Sequence, residues 1–366
     1  MPQFLGFAPA SRRAEAALAR FERVLQDLVE PLGNLGALVA IDVPEVGRVT
    51  FTAGHSNLDK SRAAQPGDVF RIASQTKTVT AMVLLLMARD GQVGLDEPVV
   101  TYLDLPIDRR ITVRHLLMNR SGLGEYTRVL GPHLYSRVPF APRDIVALAL
   151  PQGQLFEPGA HFDYCNTGFT IAGMLIEAVS AGSFGEACAA RITRPLGLGH
   201  TAFGGRIPAE EPMRGYVTLP PEAEPVDMTA SVSRAFGSGD GLANADDLLV
   251  LYGSLLREES PLRISLHDLT AETGKPSANP HFAMSLGTEY GLGLERRAWA
   301  GREVWGHPGS SGHTRSSTWI DPGLGIGVTT CVTMHITPSW SADDIRYPRA
   351  QLFGQALSTA YALAEI

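Results

Sequence analysis

The residues that could do chemistry first appear in the segment Phe70–Lys77, where a serine and a lysine stand three positions apart at the start of an apolar run. Residues three apart on a helix lie on the same face. Ser74 and Lys77 could therefore point into one space, as a nucleophile and the group that activates it. Lysine is scarce, since only Lys60 and Lys275 accompany Lys77. A Ser-x-x-Lys pair alone is short enough to arise by chance, so its meaning depends on the rest of the chain.

Two further motifs would complete the site of a serine nucleophile. Such a site needs a proton acceptor, donors for the developing oxyanion, and polar groups that position the substrate. Tyr164 and Asn166 occupy alternate positions in a turn that enters a helix. His307 and Gly309 lie in the segment Trp305–Gly312, where a strand runs into small residues that allow close backbone approach. Each motif is weak alone, but in this order and in these settings the three form a specific combination.

The outer parts of the chain predict a sheet flanked by helices. Apolar residues at helical spacing follow Ser11, a candidate N-cap, and a hairpin within residues 36–53 precedes the Ser74 helix. After about residue 286 the strand pattern returns, with strands predicted at 290–296, 303–306, 314–320 and 325–333, and a final helix is predicted at 349–363. The sequence therefore predicts a discontinuous α/β domain formed by residues 1–94 and 286–366.

The middle of the chain has a different pattern. Helices separated by Pro- and Gly-rich loops predict a mostly helical domain at 95–285, inserted into the sheet domain. Asn166 and Asn244 are candidate caps of two of these helices. Residues 205–235 show no periodicity and are interpreted as a long loop, which at that length is usually functional or mobile.

These motifs resemble those of the penicillin-recognising serine hydrolases: class C β-lactamases, D-alanyl-D-alanine carboxypeptidases, D-aminopeptidases, D-amino-acid amidases and related esterases. The family motifs Ser-x-x-Lys, Tyr-x-Asn and Lys-or-His-x-Gly stand here as Ser74/Lys77, Tyr164/Asn166 and His307/Gly309. The resemblance extends over roughly residues 15–360. Its other landmarks are Leu95–Val99, His115–Leu123, Phe156–Gly159, Pro195–Gly197 and Gly239–Leu248.

The resemblance implies a fold and a nucleophile. The fold is of the α/β (α+β) class, with an antiparallel sheet flanked by helices, an all-helical domain, and the site in the cleft between them. The mechanism is acyl transfer through an ester of Ser74. Making Lys77 or Tyr164 a base at pH 7 requires a pKa shift of roughly 3 units, and two coupled groups titrate as a pair. The sequence leaves the base open, and the family likeness favours Tyr164 with Lys77 beside it.

The remaining site residues are also implied by the resemblance. The backbone N–H groups of Ser74 and Ser310 would form the oxyanion hole. Asn166 would orient Lys77 and the substrate amide, and His307 and Gly309 would bind substrate. Because a histidine stands where β-lactamases have a lysine, the third motif is similar to those of the peptidase, amidase and esterase branches and disfavours efficient lactam hydrolysis.

Simpler roles compete with these assignments. Ser74 could merely begin a helix, Tyr164 and Asn166 could form only a turn and a cap, and His307 could be structural. Cys165 is expected to be a packed thiol. The histidines show no metal-ligand spacing, so we predict no metal and no cofactor, and the absence of Gly-x-Ser-x-Gly argues against an α/β-hydrolase.

Composition narrows the function further. The chain has 366 residues, 44% of them hydrophobic, and a formal net charge of -7, which gives no reason to expect nucleic-acid or membrane partners. Three widely spaced cysteines and an N-terminus without a signal-like pattern predict a cytoplasmic protein. The oligomeric state is open.

Four functions remain in play. The first is a serine acyl hydrolase that cleaves a small-molecule amide, peptide or ester, with D-amino-acid derivatives among the candidates. The alternatives are an acyltransferase that uses the same site in small-molecule biosynthesis, then a β-lactamase, and last a catalytically inert binding or scaffold protein.

Overall fold

The protein is described by a computed structural model over residues 3–5, 12–29, 34–130, 139–205, 211–218, 224–229, 235–275, 289–337 and 342–364. Over these residues the chain forms twelve strands and eleven α-helices, with short 3-10 and π turns between them. The strands are β1 (Gln3–Leu5), β2 (Asn34–Val43), β3 (Gly47–Gly54), β4 (Phe70–Arg71), β5 (Tyr216–Val217), β6 (Val226–Asp227), β7 (Leu242–Ala243), β8 (Glu289–Tyr290), β9 (Glu295–Trp299), β10 (Arg302–Ser310), β11 (Thr314–Asp321) and β12 (Ile326–Ile336).

The helices lie mainly in the middle of the chain and at its two ends. They are α1 (Arg12–Val29), α2 (Thr76–Arg89), α3 (Val113–Leu117), α4 (Tyr126–Leu130), α5 (Pro142–Ala149), α6 (Asn166–Ser180), α7 (Phe184–Cys188), α8 (Arg194–Leu196), α9 (Ala245–Gly253), α10 (Leu266–Thr270) and α11 (Ala342–Leu363).

One large sheet organises the described strands. Its order is β1-β3-β2-β12-β11-β10-β9-β8, and each of these neighbours pairs antiparallel. β5 adds to the end of β12 in parallel, and β6 pairs with β5. β4 and β7 form a separate two-stranded sheet next to the Ser74 turn. The predicted antiparallel sheet flanked by helices is confirmed.

The outer face of the sheet is covered by the two terminal helices. α1 buries Ala14, Leu18, Phe21 and Leu25, which recur every three or four residues and form one apolar stripe. The Phe21 ring packs edge-on against Phe51 of β3, with ring centroids 5.0 Å apart. The candidate cap Ser11 lies outside the described residues. α11 packs on the same side through its own apolar face.

The inner face of the sheet packs against α2 and the helices of residues 95–275. α2 is buried along nearly its whole length, so it lies in the core between the sheet and these helices. This placement explains why its sequence is apolar on every side instead of on one stripe. The domain boundaries at 94/95 and 285/286 stay a prediction.

Two parts of the predicted secondary structure are wrong. The strand predicted across residues 290–296 is two strands, because Gly293 turns the chain with φ +68° and packs against the backbone of α2. The loop predicted at 205–235 contains β5 and β6 in its described parts, and β5 extends the sheet at His335. Strands of only two residues, such as β5, β6 and β8, are too short to show the alternation of apolar and polar residues by which a strand is predicted.

Over the described residues, no individual helix has the length and apolar composition to cross a membrane. Helix α6 and the segment Phe184–Leu196 meet that test only when taken together, and they are bent by 79° at the break between them.

Candidate active site

A sharp bend presents Ser74 at the start of the core helix. Ala73 adopts φ +48°, which is uncommon for a residue with a Cβ, and the chain then enters the 3-10 turn Ala73–Gln75 and α2. The Thr76 hydroxyl donates to Ala73 O at 2.7 Å and accepts from Gly241 N–H at 3.0 Å, which fixes the bend. Ser74 is partly exposed, whereas its neighbours on both sides are buried. The bend therefore brings the Ser74 side chain to the surface of a closed core.

Lys77 lies one turn further on and is entirely buried. Its Nζ lies 3.2 Å from Ser74 Oγ, 2.7 Å from Asn166 Oδ1 and 2.7 Å from the Ser238 carbonyl oxygen. Burial lowers the Lys77 pKa to about 7, and the attraction of Glu125 opposes that shift. The amine is therefore present in comparable neutral and protonated amounts near pH 7.

The three contacts of Lys77 determine where its lone pair points. The Ser238 carbonyl and Asn166 Oδ1 can only accept hydrogen bonds. A neutral amine has two hydrogens, and these two oxygens use both. The lone pair is then left facing the Ser74 hydroxyl, in the direction needed to remove its proton.

Tyr164 packs beside this group. Lys77 Nζ lies 4.8 Å from the centroid of the Tyr164 ring. Burial raises the Tyr164 pKa well above its usual range, although a hydrogen bond with Ser74 opposes the shift. Since burial disfavours the Tyr164 phenolate and favours the neutral Lys77 amine, the geometry supports Lys77 as the base. The assignment of that role to Tyr164 stays a prediction, and these two pKa directions weigh against it.

Asn166 bridges Lys77 and the carboxylate of Glu125, which belongs to none of the three motifs. Its Oδ1 accepts from Lys77, while its Nδ2 donates to Glu125 Oε1 at 3.1 Å. The prediction that Asn166 caps its helix is wrong: Cys165 is the N-cap residue and Asn166 is the first helical residue of α6. The amide is engaged across the site instead of at the helix end.

Cys165 is a packed thiol, as expected. It is 3% exposed, and its Sγ lies 3.7 Å from the carbonyl oxygens of Leu123 and Gly124. Burial raises its pKa well above the ordinary value for a thiol. A thiol kept protonated in this way is a poor nucleophile.

His307 lies behind Tyr164 on β10. It is 1% exposed, its Nε2 lies 3.0 Å from the Tyr290 hydroxyl, and its Nδ1 lies 2.6 Å from the Pro308 carbonyl oxygen. Because that carbonyl can only accept, Nδ1 carries a proton, and in a neutral ring Nε2 accepts from the Tyr290 hydroxyl. The ring centroids of His307 and Tyr164 are 6.2 Å apart. The His307 side chain is therefore held by the strand and packs near the Tyr164 ring. Direct substrate binding by His307 stays a prediction.

Gly309 lets β10 close onto the Ser74 bend. A Cβ at Gly309 would lie 2.1 Å from Ile72 O and 2.6 Å from Ser316 Oγ, so only glycine fits without displacement. The Ser316 hydroxyl donates to the same Ile72 oxygen at 3.1 Å, and Gln75 Nε2 donates to Ser316 Oγ at 2.8 Å. The third motif therefore contributes packing that joins the sheet to the nucleophile's turn, and its predicted substrate contact stays a prediction.

The strand register orients the Ser310 N–H. Ser311 N–H donates to Thr314 O at 3.1 Å, so these two residues form a hydrogen-bonded pair. Such pairs alternate along an antiparallel ladder, and the Ser310 N–H therefore points away from β11. On that side β9 pairs with β10 over Arg302–Gly306, and Ser310 lies past the end of this pairing.

The Ser74 N–H lies outside any strand pairing, unlike that of Ser310, and has no acceptor within its own helix. It belongs to the second residue of a helical turn, where no intrahelical acceptor exists. Gly309 packs against Ile72, just before Ser74, and so brings the two stretches of chain together. The assignment of these two N–H groups as the oxyanion donors stays a prediction.

Three contacting residues were missed by sequence reasoning: Glu125, Ser238 and Tyr290. Glu125 lies just after the landmark His115–Leu123, but nothing local links it to Asn166, 41 positions away. Ser238 acts through its backbone carbonyl, which any residue type could supply. Over the described ranges, no group of three or more His, Cys, Asp or Glu side chains is arranged to hold a metal ion.

Comparison with known proteins decides the family. The family model described as Beta-lactamase matches residues 21–349, most of the chain. The chain belongs to the beta-lactamase family. The predicted resemblance to the penicillin-recognising serine hydrolases is confirmed by this match and by the relatives that follow.

The proteins similar to the chain include an aminopeptidase and a penicillin-binding protein. Penicillin-binding protein 4* of Bacillus subtilis is 26% identical over 291 residues, 74% of this chain and 62% of that protein. D-aminopeptidase of Brucella anthropi is 28% identical over 289 residues, 76% of this chain and 53% of that protein. The chain therefore spans about half to three fifths of the length of these relatives.

The fold of the chain is similar to that of solved structures. The crystal structure of D-amino acid amidase from Ochrobactrum anthropi SV3, complexed with L-phenylalanine amide, matches with a TM-score of 0.82 at 24% identity. The match covers 94% of this chain and 98% of the amidase. The predicted β-lactamase/transpeptidase-like fold class is thus confirmed.

Proposed function

We propose that the protein is a serine hydrolase that cleaves small amides, peptides or esters through an acyl ester of Ser74. One observation carries the proposal: the buried Lys77 amine lies 3.2 Å from Ser74 Oγ, with both of its other contacts made to obligate acceptors. That arrangement gives the serine a base without a histidine or a metal. A buried lysine beside a partly exposed serine is typical of a functional site, because burying an amine without such a role costs free energy.

The proposed reaction follows from this arrangement. Lys77 Nζ removes the Ser74 proton as Oγ attacks the substrate carbonyl carbon, and the carbonyl oxygen becomes an oxyanion. The N–H groups of Ser74 and Ser310 donate to that oxygen. When the intermediate collapses, the leaving amine or alcohol takes the proton from Lys77, directly or through the Tyr164 hydroxyl. Water then repeats the sequence on the Ser74 ester and regenerates the enzyme.

The substrate class is proposed from the relatives. A D-aminopeptidase and a D-amino acid amidase are among the similar proteins, so amides and short peptides of D-configured amino acids are the first compounds to test. Esters are included because an ester needs less help at the leaving group than an amide does.

A substrate panel tests the proposal. The wild-type protein is mixed with matched D- and L-amino-acid amides, esters and lactams, and each reaction is followed by product formation and by intact mass. We expect turnover of some amides or esters, with loss of turnover in Ser74→Ala. Ser180→Ala, which changes an exposed serine at the end of α6, is the matched control. If no compound acylates the protein, or if Ser74→Ala turns over the same compounds at the same rate, the proposal is wrong.

A further inference from the structure

Glu125 is a buried carboxylate that accepts hydrogen bonds from Asn166 and from the Thr127 backbone. It is 1% exposed, although it lies in the loop before α4. Its Oε2 accepts from the Asn166 backbone N–H at 2.5 Å, and its Oε1 accepts from Asn166 Nδ2 and from Thr127 N–H, each at 3.1 Å. A carboxylate so deeply buried needs such donors, and here two of the three come from one residue of the Tyr-x-Asn motif.

We propose that Glu125 is a positioning residue that fixes the orientation of the Asn166 amide and thereby keeps the Lys77 lone pair on Ser74. This inference rests on the proposed function. Glu125 touches neither substrate nor the reacting atoms; it acts through Asn166.

The need for such a residue follows from the symmetry of an amide. The oxygen and nitrogen of Asn166 can exchange places by a rotation of about 180°, at little steric cost. With Oδ1 toward Lys77, the amine donates and its lone pair stays free. With Nδ2 toward Lys77, the amide would donate to that lone pair, and the amine could no longer accept the Ser74 proton.

Glu125 removes the second orientation. An ionised carboxylate is an acceptor only, so Asn166 Oδ1 facing it would create a repulsive contact and leave Nδ2 without this partner. The Asn166 backbone N–H contact at 2.5 Å also holds the carboxylate at the first turn of α6, where negative charge is favoured. The side chain is thus fixed by two independent contacts.

The charges around Lys77 determine how a change at Glu125 would be seen. The titratable groups that face the amine are Glu125 from the loop before α4, and Tyr164 and Cys165 from the segment before α6. Ser238 contributes a carbonyl from the loop before β7, and Phe169 contributes a ring face from α6. Glu125 is the negative charge that stabilises protonated Lys77, so its removal lowers the pH at which the amine becomes neutral.

Glu125→Gln is the first test variant. A glutamine keeps the shape but turns one acceptor into a donor that faces the donors of Asn166 and Thr127. We expect the acylation rate constant with an activated ester, measured at saturating ester above pH 8, to fall about 10- to 100-fold, the range for a lost hydrogen bond to a charged group. The ester KM should change by less than about threefold, and the acid limb of the pH profile should move to lower pH. Glu157→Gln, which changes an exposed carboxylate, is the control.

The swapped pair Glu125→Gln/Asn166→Asp separates positioning from folding. The carboxylate introduced at position 166 offers an oxygen to Lys77 in either rotamer and can accept from the amide introduced at position 125. The double variant should therefore acylate faster than Glu125→Gln. Because the negative charge now touches Lys77, the acid limb of the double variant should lie above that of the wild type.

Two results would overturn the inference. One is that Glu125→Gln keeps wild-type acylation and the wild-type pH profile, and the other is that the swapped pair is no faster than the single variant. A wild-type protein that never acylates would overturn the proposed function instead.

Discussion

Gly309→Ala tests whether the sheet positions the nucleophile's turn. The added Cβ would lie 2.1 Å from Ile72 O, whereas carbon and oxygen atoms ordinarily approach no closer than about 3.3 Å. β10 and the Ser74 bend would therefore have to separate by roughly 1 Å, the difference between the ordinary approach and this distance. The neighbouring Ser316 Oγ, 2.6 Å from the new atom, blocks the simplest sideways movement.

Two effects of that separation can be estimated. Overpacking of this kind typically costs about 1–3 kcal/mol of unfolding free energy. A displacement of about 1 Å at a catalytic group can cost about 100-fold in rate, and here the two proposed oxyanion donors lie on opposite sides of the new gap. We therefore expect a fall of about two orders of magnitude in acylation, well beyond what the loss of stability alone would produce in folded protein.

The assay compares the variant with a neutral glycine change. Acylation by an activated ester is followed by stopped-flow, and unfolding is followed by circular dichroism in denaturant. Gly253→Ala is the control, since a Cβ at Gly253 would meet nothing within 4 Å and the residue ends helix α9 with φ -62°. If Gly309→Ala acylates within about twofold of the wild type and is equally stable, the packing of β10 on Ile72 does not position the donors.

Three further predictions concern Lys77 and Tyr164. Because burial lowers the Lys77 pKa to about 7, the acylation rate should fall about tenfold per pH unit below 7 and level off above it; a flat profile from about pH 5 to 8 would contradict this. In the unfolded chain Lys77 keeps its proton up to its ordinary pKa of 10.5, whereas in the folded chain it keeps the proton only up to about 7. Between these two pH values the unfolded state binds more protons, so the free energy of unfolding rises with pH there. In Lys77→Met that rise should shrink by up to about 1.4 kcal/mol per pH unit, as measured by denaturant titration at several pH values. Tyr164→Phe should keep the acid limb of the acylation profile, whereas disappearance of that limb would make Tyr164 the base.

The sequence predicted the nucleophile pair because its geometry is local. Ser74 and Lys77 are separated by one helical turn, and apolar residues around them already indicated a core helix. The Asn244 cap was predicted for the same reason and is confirmed, since its side chain accepts from Asp247 N–H at 2.9 Å.

Long-range contacts explain what the sequence did not show. Asparagine is a favoured helix N-cap residue, but the Asn166 amide forms hydrogen bonds with Lys77 and Glu125 instead, and Cys165 occupies the N-cap position. Strands β8 and β9 were predicted as one strand, because the turn between them depends on Gly293 packing against Lys77 O, which is distant in sequence. In each case the deciding partner is distant in sequence.

The contact between Lys77 and Ser74 is the central feature of the site, and covalent labelling of Ser74 tests it most directly. The wild-type protein is treated with a fluorophosphonate at about pH 8, above the Lys77 pKa, and the adduct is located by intact mass and peptide mapping. We predict one adduct, on Ser74, with labelling at least about 100-fold slower in Lys77→Met, the effect expected from loss of general-base catalysis. Labelling on another residue, or equal rates with and without the Lys77 amine, would contradict it.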